Sequence, residues 1–418
     1  MKKTILYLLL FSIFFQAKAQ ITLQECQAKA QQNYPLVKQY GLIEQAKNYD
    51  ISNAAKGNLP QISLSAKASY QSAVTEVPVI IPGINIKGPD KDQYQISAEI
   101  SQNIWDGGVI RDRKKIAKAK SEADFQQNRV DMYVLNDRIN EMYFGILLLD
   151  EQLTQNRLYQ EELNRHLQQI TAYVQYGIAN QSDIDAVEVN RLDASQKQTE
   201  LETTRYAYIQ MLSAFTGKKI EYNTRFISPE MPRNILLNEI NRPELDLFDA
   251  ENRLLESQKK SILSKNLPKL GLFIQGGYGN PGLNMLKNGF DTYYIAGIRL
   301  NWNFGNLYTQ KNEKKIIETN KKTIDVQRET FLFNTRLKIT QGNSEVEKYR
   351  KLAEDDDEII RLRTRIRKAA EAKVANGTLS VTEFLREVTA EDQAKQAKAV
   401  HKTQLLMAIY NLKYTTNL

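Results

Sequence analysis

The chain has one cysteine, two histidines and two tryptophans in 418 residues. Cys26, being alone, excludes an intramolecular disulfide, and it stands too far behind the processing site expected at Ala19 to be the acylated first residue of a lipoprotein. His166 and His401 have no cysteine or acidic cluster at ligand spacing, so the sequence spells no metal site. No serine, aspartate or lysine is spaced as a nucleophile with its base, which argues against an enzyme and calls for no cofactor. Basic residues are not gathered with interleaved aromatics, so the chain does not read as a nucleic-acid binder. Past residue 20 there is no apolar run of the ~20 residues that a membrane-crossing helix requires.

The first twenty residues, MKKTILYLLLFSIFFQAKAQ, place Lys2 and Lys3 before an apolar run from Ile5 to Phe15 and then Ala17-Lys18-Ala19. This is the layout of an export signal, residues 1–19; the competing reading is a retained helical anchor. Removing it lowers the formal charge from +8 to about +5. A long exported chain without disulfides must be held by helix packing or by a closed sheet, and abundant helix formers with modest hydropathy suggest elongated elements.

The chain says the same thing twice. A helical pattern over 22–56 is followed by a strand at about 61–71, a Pro- and Gly-rich loop at 72–91, a strand at 92–103, and a long helix from 109 to about 174. The turn YGIANQSD (176–183) then leads to a helix reaching Gly217. After a linker at 221–241 the order recurs: a helix from Pro243 to Lys265, strands at 269–278 and 291–304, a helix over 307–374, the turn NGTLSVTE (376–383), and a last helix to about Tyr414. The repeats are 20–220 and 242–418, and a period this long signals a duplicated unit rather than a solenoid. A helix of about 65 residues is on the order of 100 Å long. Apolar positions three and four apart, Ile116, Ala119, Ala123, Val130 and Val134, then Leu163, Leu167, Ile170 and Val174, fit side-by-side coiled packing.

Each strand alternates. Ile62, Leu64, Ala66, Ala68 and Tyr70 oppose a polar set that includes Lys67; Tyr94, Ile96, Ala98 and Ile100 oppose a set that includes Glu99. Leu270, Leu272, Ile274 and Tyr278 share one face, with Phe273 falling on the polar side, and Tyr294, Ile298, Leu300, Trp302 and Phe304 oppose Asp291, Arg299, Asn301 and Asn303. Segments of about ten residues suit a tilted bilayer-crossing strand. A small sheet on a water-soluble helical body has the same pattern. In a membrane an open edge is not tolerated, and four strands cannot close. Copies must therefore share the sheet, two giving eight strands with a packed interior, three giving twelve with a lumen. Lys67, Glu99 and Arg299 then face the lumen, the helices leave from one rim, and the loops occupy the other.

With NLP before the first strand of each half, WDGG and NFGN opening the long helices, and the turns YGIANQSDIDAVEV and NGTLSVTEFLREV, the chain resembles the outer membrane efflux protein family, the TolC-like exit ducts. The resemblance covers essentially the whole mature chain. It implies a mainly α fold with transmembrane β-strands: a homotrimer in outer-membrane lipid, four strands per protomer in a shared 12-stranded barrel, and coiled-coil helices continuing it as a periplasmic α-barrel. It also implies a periplasmic adaptor (membrane fusion protein) and an inner-membrane pump of RND or ABC type, with efflux and type I secretion sharing one passive duct. The alternative is a periplasmic coiled-coil scaffold or adaptor.

The resemblance places the turns at Gly177 and Gly377 at the periplasmic tip, where the adaptor docks. Physical reading of the same residues makes Gly177 and Gly377 left-handed helix ends, Ser182 and Ser380 N-caps, and Asp183 and Glu383 first-turn carboxylates. Glu383 matches an acidic gating position of the family, whereas Arg386 stands where a second acid often occurs. A Glu383–Arg386 pair one turn apart competes with a gating role. Glu354-Asp-Asp-Asp-Glu358 reads as a solvated helical stretch, and Gly277-Tyr-Gly-Asn-Pro-Gly282 lacks the helix that a dinucleotide site needs.

Overall fold

The computed structural model describes residues 20–75, 88–231 and 239–417; the expected export signal and much of the 72–91 loop and the linker lie outside them. In chain order the elements are β1 (Gln20–Ile21), α1 (Leu23–Asn33), a 3-10 turn (Pro35–Val37), α2 (Lys38–Lys56), β2 (Gln61–Tyr70), β3 (Asp92–Trp105), α3 (Val109–Gln175) and α4 (Gln181–Thr216). They continue with β4 (Arg225–Phe226), α5 (Pro243–Lys265), β5 (Lys269–Asn280), β6 (Asp291–Asn301), α6 (Asn306–Ala375) and α7 (Val381–Thr416). The helix expected over 22–56 is interrupted: Tyr34 is extended (φ −61°, ψ 131°) because Pro35 pushes the residue before it out of the helical region.

Two compact units divide the chain, each drawing on both sequence repeats. A sheet unit consists of Gln39–Gln127 and Glu244–Glu329, and a helical unit comprises the residues up to Lys38, Asn128–Pro243 and those from Thr330 onward.

In the sheet unit the order is β2-β3-β5-β6, antiparallel throughout. Both repeats thus contribute a hairpin, joined through β3 and β5. The register puts Gln61 opposite Ser101 and Lys269 opposite Asn301, so all four strands meet their helices at the same end of the sheet.

In the helical unit, α1 buries Leu23, Cys26 and Ala30, and the core also contains Ile139, Tyr143, Ile209 and Leu212. Burial pushes the Cys26 thiol up to about 12, so it is an inert core residue. The Tyr143 hydroxyl lies 2.8 Å from the Ile21 carbonyl oxygen and 2.7 Å from that of Ile227, tying down both sides of the short parallel β1–β4 pair. The expected stripe fails at Val134, which is exposed; Met132, Leu135, Ile139 and Met142 are buried instead. Apolar residues stand on both faces of α3 here, and the side chains available to cover them, rather than periodicity, decide which face is inside. Among the described residues no helix is long and apolar enough to cross a membrane.

Candidate functional site

The pairings sort every strand residue onto one of two faces. Ile62, Leu64, Ile96, Ile274, Ile298 and Leu300 share a face that no layer covers among the described residues, and Ile62 is 76% and Ile298 69% exposed. The opposite face carries Ser, Gln, Gly and charged residues. There Arg299 of β6 reaches across β5 to Glu99 of β3, donating two hydrogen bonds of 2.7 and 3.0 Å, while its guanidinium stands 4.3 Å from the centre of the Phe273 ring. Lys67 shares this face but is not brought to the pair; it stands opposite Gln95, two same-face positions from Ser63, the partner of Glu99. The bulky Tyr293 and Ile295 also fall on the polar face, and the Gln95 amide donates to the Tyr293 hydroxyl. Strict parity counted from Asp291 locates both.

The turns at the sheet's helix end explain the repeated motifs. Asp106 of WDGG accepts from the Gly108 and Ile110 amides at 2.8 and 2.7 Å, capping α3. Gly107 has φ +73°, and a Cβ there would lie 2.8 Å from the Ser264 carbonyl oxygen, so only glycine fits. The asparagine carbonyl of each NLP accepts a side-chain N–H: Gln102 donates to Asn58 at 2.6 Å and Trp302 to Asn266 at 3.1 Å.

The two helix turns of the helical unit are near copies. Gly177 (φ +73°) and Gly377 (φ +66°) end α3 and α6 in the left-handed region, with the Ile178 amide bonded to the Tyr173 carbonyl and the Thr378 amide to that of Lys373. Ser380 caps α7: its hydroxyl accepts from the Glu383 amide at 3.2 Å, and the Glu383 carboxylate reaches back to the Ser380 hydroxyl at 3.0 Å. Ser182 does not cap. Asn180 is the N-cap of α4, Asp183 accepts from its amide at 2.9 Å, and Ser182 lies inside the helix, exposed. The helix begins two residues earlier than the serine suggests, since Asn is as well suited to an N-cap as Ser. Nor does Arg386 pair with Glu383: its guanidinium donates to Glu387 at 3.4 Å, the Glu383 carboxylate being held by Ser380.

Behind these turns the hairpins α3–α4 and α6–α7 share one apolar core that includes Leu163, Ile170, Val187, Val374, Phe384 and Val388. A charged cluster crosses it. Arg367 of α6 contacts Glu391 of α7 at 2.5 Å, Glu371 at 2.9 Å and Glu162 of α3 at 3.4 Å; Lys395 contacts Glu391 at 2.8 Å and Thr364 donates to it at 2.8 Å. Burial alone would raise the Glu391 carboxyl, yet its bonds to Lys395, Thr364 and Arg367 hold it below the usual range. Glu162 is also lowered, by the adjoining His166 first, against burial, and then by Arg367 and Lys395. His166 Nε2 lies 3.7 Å from Glu162, beyond hydrogen-bonding distance, and its ring meets Phe384 edge-on. Asp392, next to Glu391, is lifted to about 6 by burial. Helical spacing announces Arg367–Glu371 and Glu391–Lys395, but partners on other helices leave no sequence signal.

The acidic stretch 354–358 is solvated only in part. Asp356 is 3% exposed and lies 3.0 Å from His401 Nδ1, while Asp357 pairs with Lys398 and Glu358 with Arg361. Among the described residues no group of acids, histidines or cysteine is arranged to hold a metal ion.

Taken together, a two-edged antiparallel sheet and paired long-helix hairpins give this chain the fold of outer-membrane channel subunits. Vibrio cholerae VceC, an outer membrane protein, is similar at 11% identity over 93% of this chain and 95% of its own, with a TM-score of 0.67. The Campylobacter jejuni CmeC outer membrane channel aligns at 15% identity over 94% and 85%, TM-score 0.66, and the Neisseria gonorrhoeae MtrE outer membrane channel in its open state at 13% over 94% and 88%, TM-score 0.64. Residues 27–218, nearly the whole first repeat, match the family model described as Outer membrane efflux protein. No curated protein matches the sequence.

Proposed function

We propose that this protein is an outer-membrane exit duct: a passive channel, not an enzyme, that carries substrates from the periplasm or an inner-membrane pump to the exterior. One observation carries the reading. Among the described residues the sheet has four strands, both edges, β2 and β6, are unpaired, and one face is largely apolar and bare. Water offers no reason to expose such a face, and lipid forbids such edges unless other copies close them. β2 runs away from the helix end and β6 toward it, so β2 of one copy can join β6 of the next in the same antiparallel sense. Three copies give the 12-stranded barrel with a lumen, whose wall would include Lys67, Glu99 and Arg299.

Further support for assembly comes from the helices. α2 has no buried residue, and Leu42 and Tyr49 on it, like Ile316 on α6, are exposed apolar side chains that assembly would cover. In this reading the turns with Gly177, Asp183, Gly377, Ser380, Glu383 and Arg386 form the periplasmic tip that meets a membrane fusion protein, and an RND or ABC pump supplies the energy. The two sequence repeats supply one hairpin of the barrel and one helical hairpin each.

The reading is tested by fractionation and reconstitution. A duct stays in the outer membrane, needs detergent for release and gives discrete conductance steps in a planar bilayer. Extraction with buffer alone and an electrically silent bilayer would favour the scaffold reading.

A further inference from the structure

Charge is distributed along the sheet unit with a strong bias. The four helical stretches next to the strand ends, residues 54–60, 106–120, 257–269 and 302–316, hold fourteen Lys and Arg against three Asp and Glu. The remaining helical parts of the same unit, 39–53, 121–127, 244–256 and 317–329, hold seven more acids than bases. The positive stretches all lie at one end of the sheet, since all four strands meet their helices there.

Most of these cations are exposed, and apart from Arg111 with Asp112 and Lys259 with Glu318 none is held in a salt bridge among the described residues. Arg111, Lys114, Lys115 and Lys118 follow the i, i+3, i+4, i+7 spacing of a single helix face. With Asn58, Asp106 and Ile110 they line an open concavity of about 440 Å³. Trp105, Trp302 and Phe304, about half exposed, stand between these cations and the bare apolar face, as amphipathic rings do at a lipid–water boundary.

We propose that this collar binds anionic phospholipid headgroups of the leaflet nearest the helices, with the concavity beneath Arg111 and Lys118 seating a phosphate. The inference rests on the membrane-spanning reading. At 1.5 Å per residue, the first three turns of each helix lie within roughly 15 Å of the strand ends. Lys and Arg stems reach back along apolar surface toward the headgroup layer, and a negative surface attracts those still within a Debye length. Acids set further from the sheet would meet no such surface, which accounts for the change of sign along the same helices.

The full chain is reconstituted in nanodiscs of phosphatidylcholine with a minor fraction of phosphatidylglycerol, and contact with spin-labelled versions of each lipid is measured. We expect several-fold enrichment of the anionic lipid, reduced in 0.5 M salt. It should be lost when Arg111, Lys114, Lys115 and Lys118 are all changed to Gln, and retained when the three lysines become Arg, which controls for folding. Equal contact by both lipids, or enrichment that survives the Gln changes, overturns the proposal and leaves the duct standing. Capture of purified anionic cell-wall polymer without any lipid preference also overturns it. Failure to enter even pure phosphatidylcholine discs, by contrast, removes the duct reading itself.

Discussion

Arg299 on β6 and Glu99 on β3 form a bidentate ion pair that spans β5 on the polar face of the sheet, with Phe273 beneath the guanidinium. The pair is open to solvent, so its contribution to stability is small. If the sheet closes into the proposed duct, these charges line the conduction path. Glu99→Gln leaves an unpaired cation and Arg299→Gln an unpaired anion in each protomer. The reversal potential under a salt gradient is expected to move toward anion preference in the first variant and cation preference in the second, with the double variant close to the parent. Identical potentials in all four proteins would place the pair outside the conduction path.

Arg367 is the cation on which Glu162, Glu371 and Glu391 converge. Arg367→Met leaves the half-buried Glu162 and the buried Glu391 to share Lys395 and is expected to destabilise the helical unit by about 3 kcal/mol, because removing one partner of a buried ion pair costs more than the pair returns. Adding Glu391→Gln should recover part of the loss. Thermal unfolding in mild detergent reads both, and a double variant as unstable as the single one would show that Arg367 acts through packing alone.

Acidity should act on this region in two opposite limbs. Asp392 titrates near 6 when folded, above its unfolded value of about 3.9, so the folded state takes up the proton first and stability rises as pH falls from 7.5 through 6. Glu162 and Glu391 have lowered values; the stability they confer is present above about 4.3 and is lost as pH falls further. The gain from Asp392 continues to build below 6 until the loss from the two glutamates overtakes it, so maximum stability is expected at about 4.3 to 4.5. Asp392→Asn should raise the midpoint at pH 7.5, by on the order of 1–3 kcal/mol, and abolish the gain on mild acidification. A variant whose pH profile matches the parent's would rule out Asp392 as the source.

The two turn serines should differ sharply. Ser380→Ala removes a cap and is expected to cost about 1 kcal/mol, seen as faster amide hydrogen exchange at the start of α7, whereas Ser182→Ala should change exchange at α4 very little. Asn180→Ala should reproduce at α4 what Ser380→Ala does at α7. Equal effects at both serines would contradict the capping assignment. Glu383→Lys additionally removes the carboxylate that Ser380 holds; if the turn lines the narrow end of the duct, cation conductance falls, and unchanged selectivity would leave Glu383 only its capping role.

The long elements were legible because each carries one periodicity over many residues: alternation from Gln61 to Tyr70 admits no other reading, and Gly177 and Gly377 mark helix ends with the one residue type suited to a left-handed backbone. What was not legible depends on choices between equivalent local solutions or on distant partners. Asn180 and Ser182 are both good caps, and the sequence does not say which is used. Val134 and Leu135 are both apolar, and only the neighbouring elements decide that Leu135 is inside. Glu99 meeting Arg299 and Glu162 meeting Arg367 require a register across strands or helices about two hundred residues apart, which no local pattern contains.

The shared barrel is tested most directly by disulfides between the two sheet edges. With Cys26→Ala as background, Ser65→Cys on β2 is combined in turn with Ile295→Cys, Gly297→Cys and Arg299→Cys on β6, all on the same face. Two strands separate β2 from β6 within one copy, too far for a bond, so any disulfide must join copies. A non-reducing gel of cross-linked membranes should show dimer and trimer bands for at least one pair and nothing larger. Monomer alone for every pair, or a ladder ending at another number, would contradict the twelve-stranded duct.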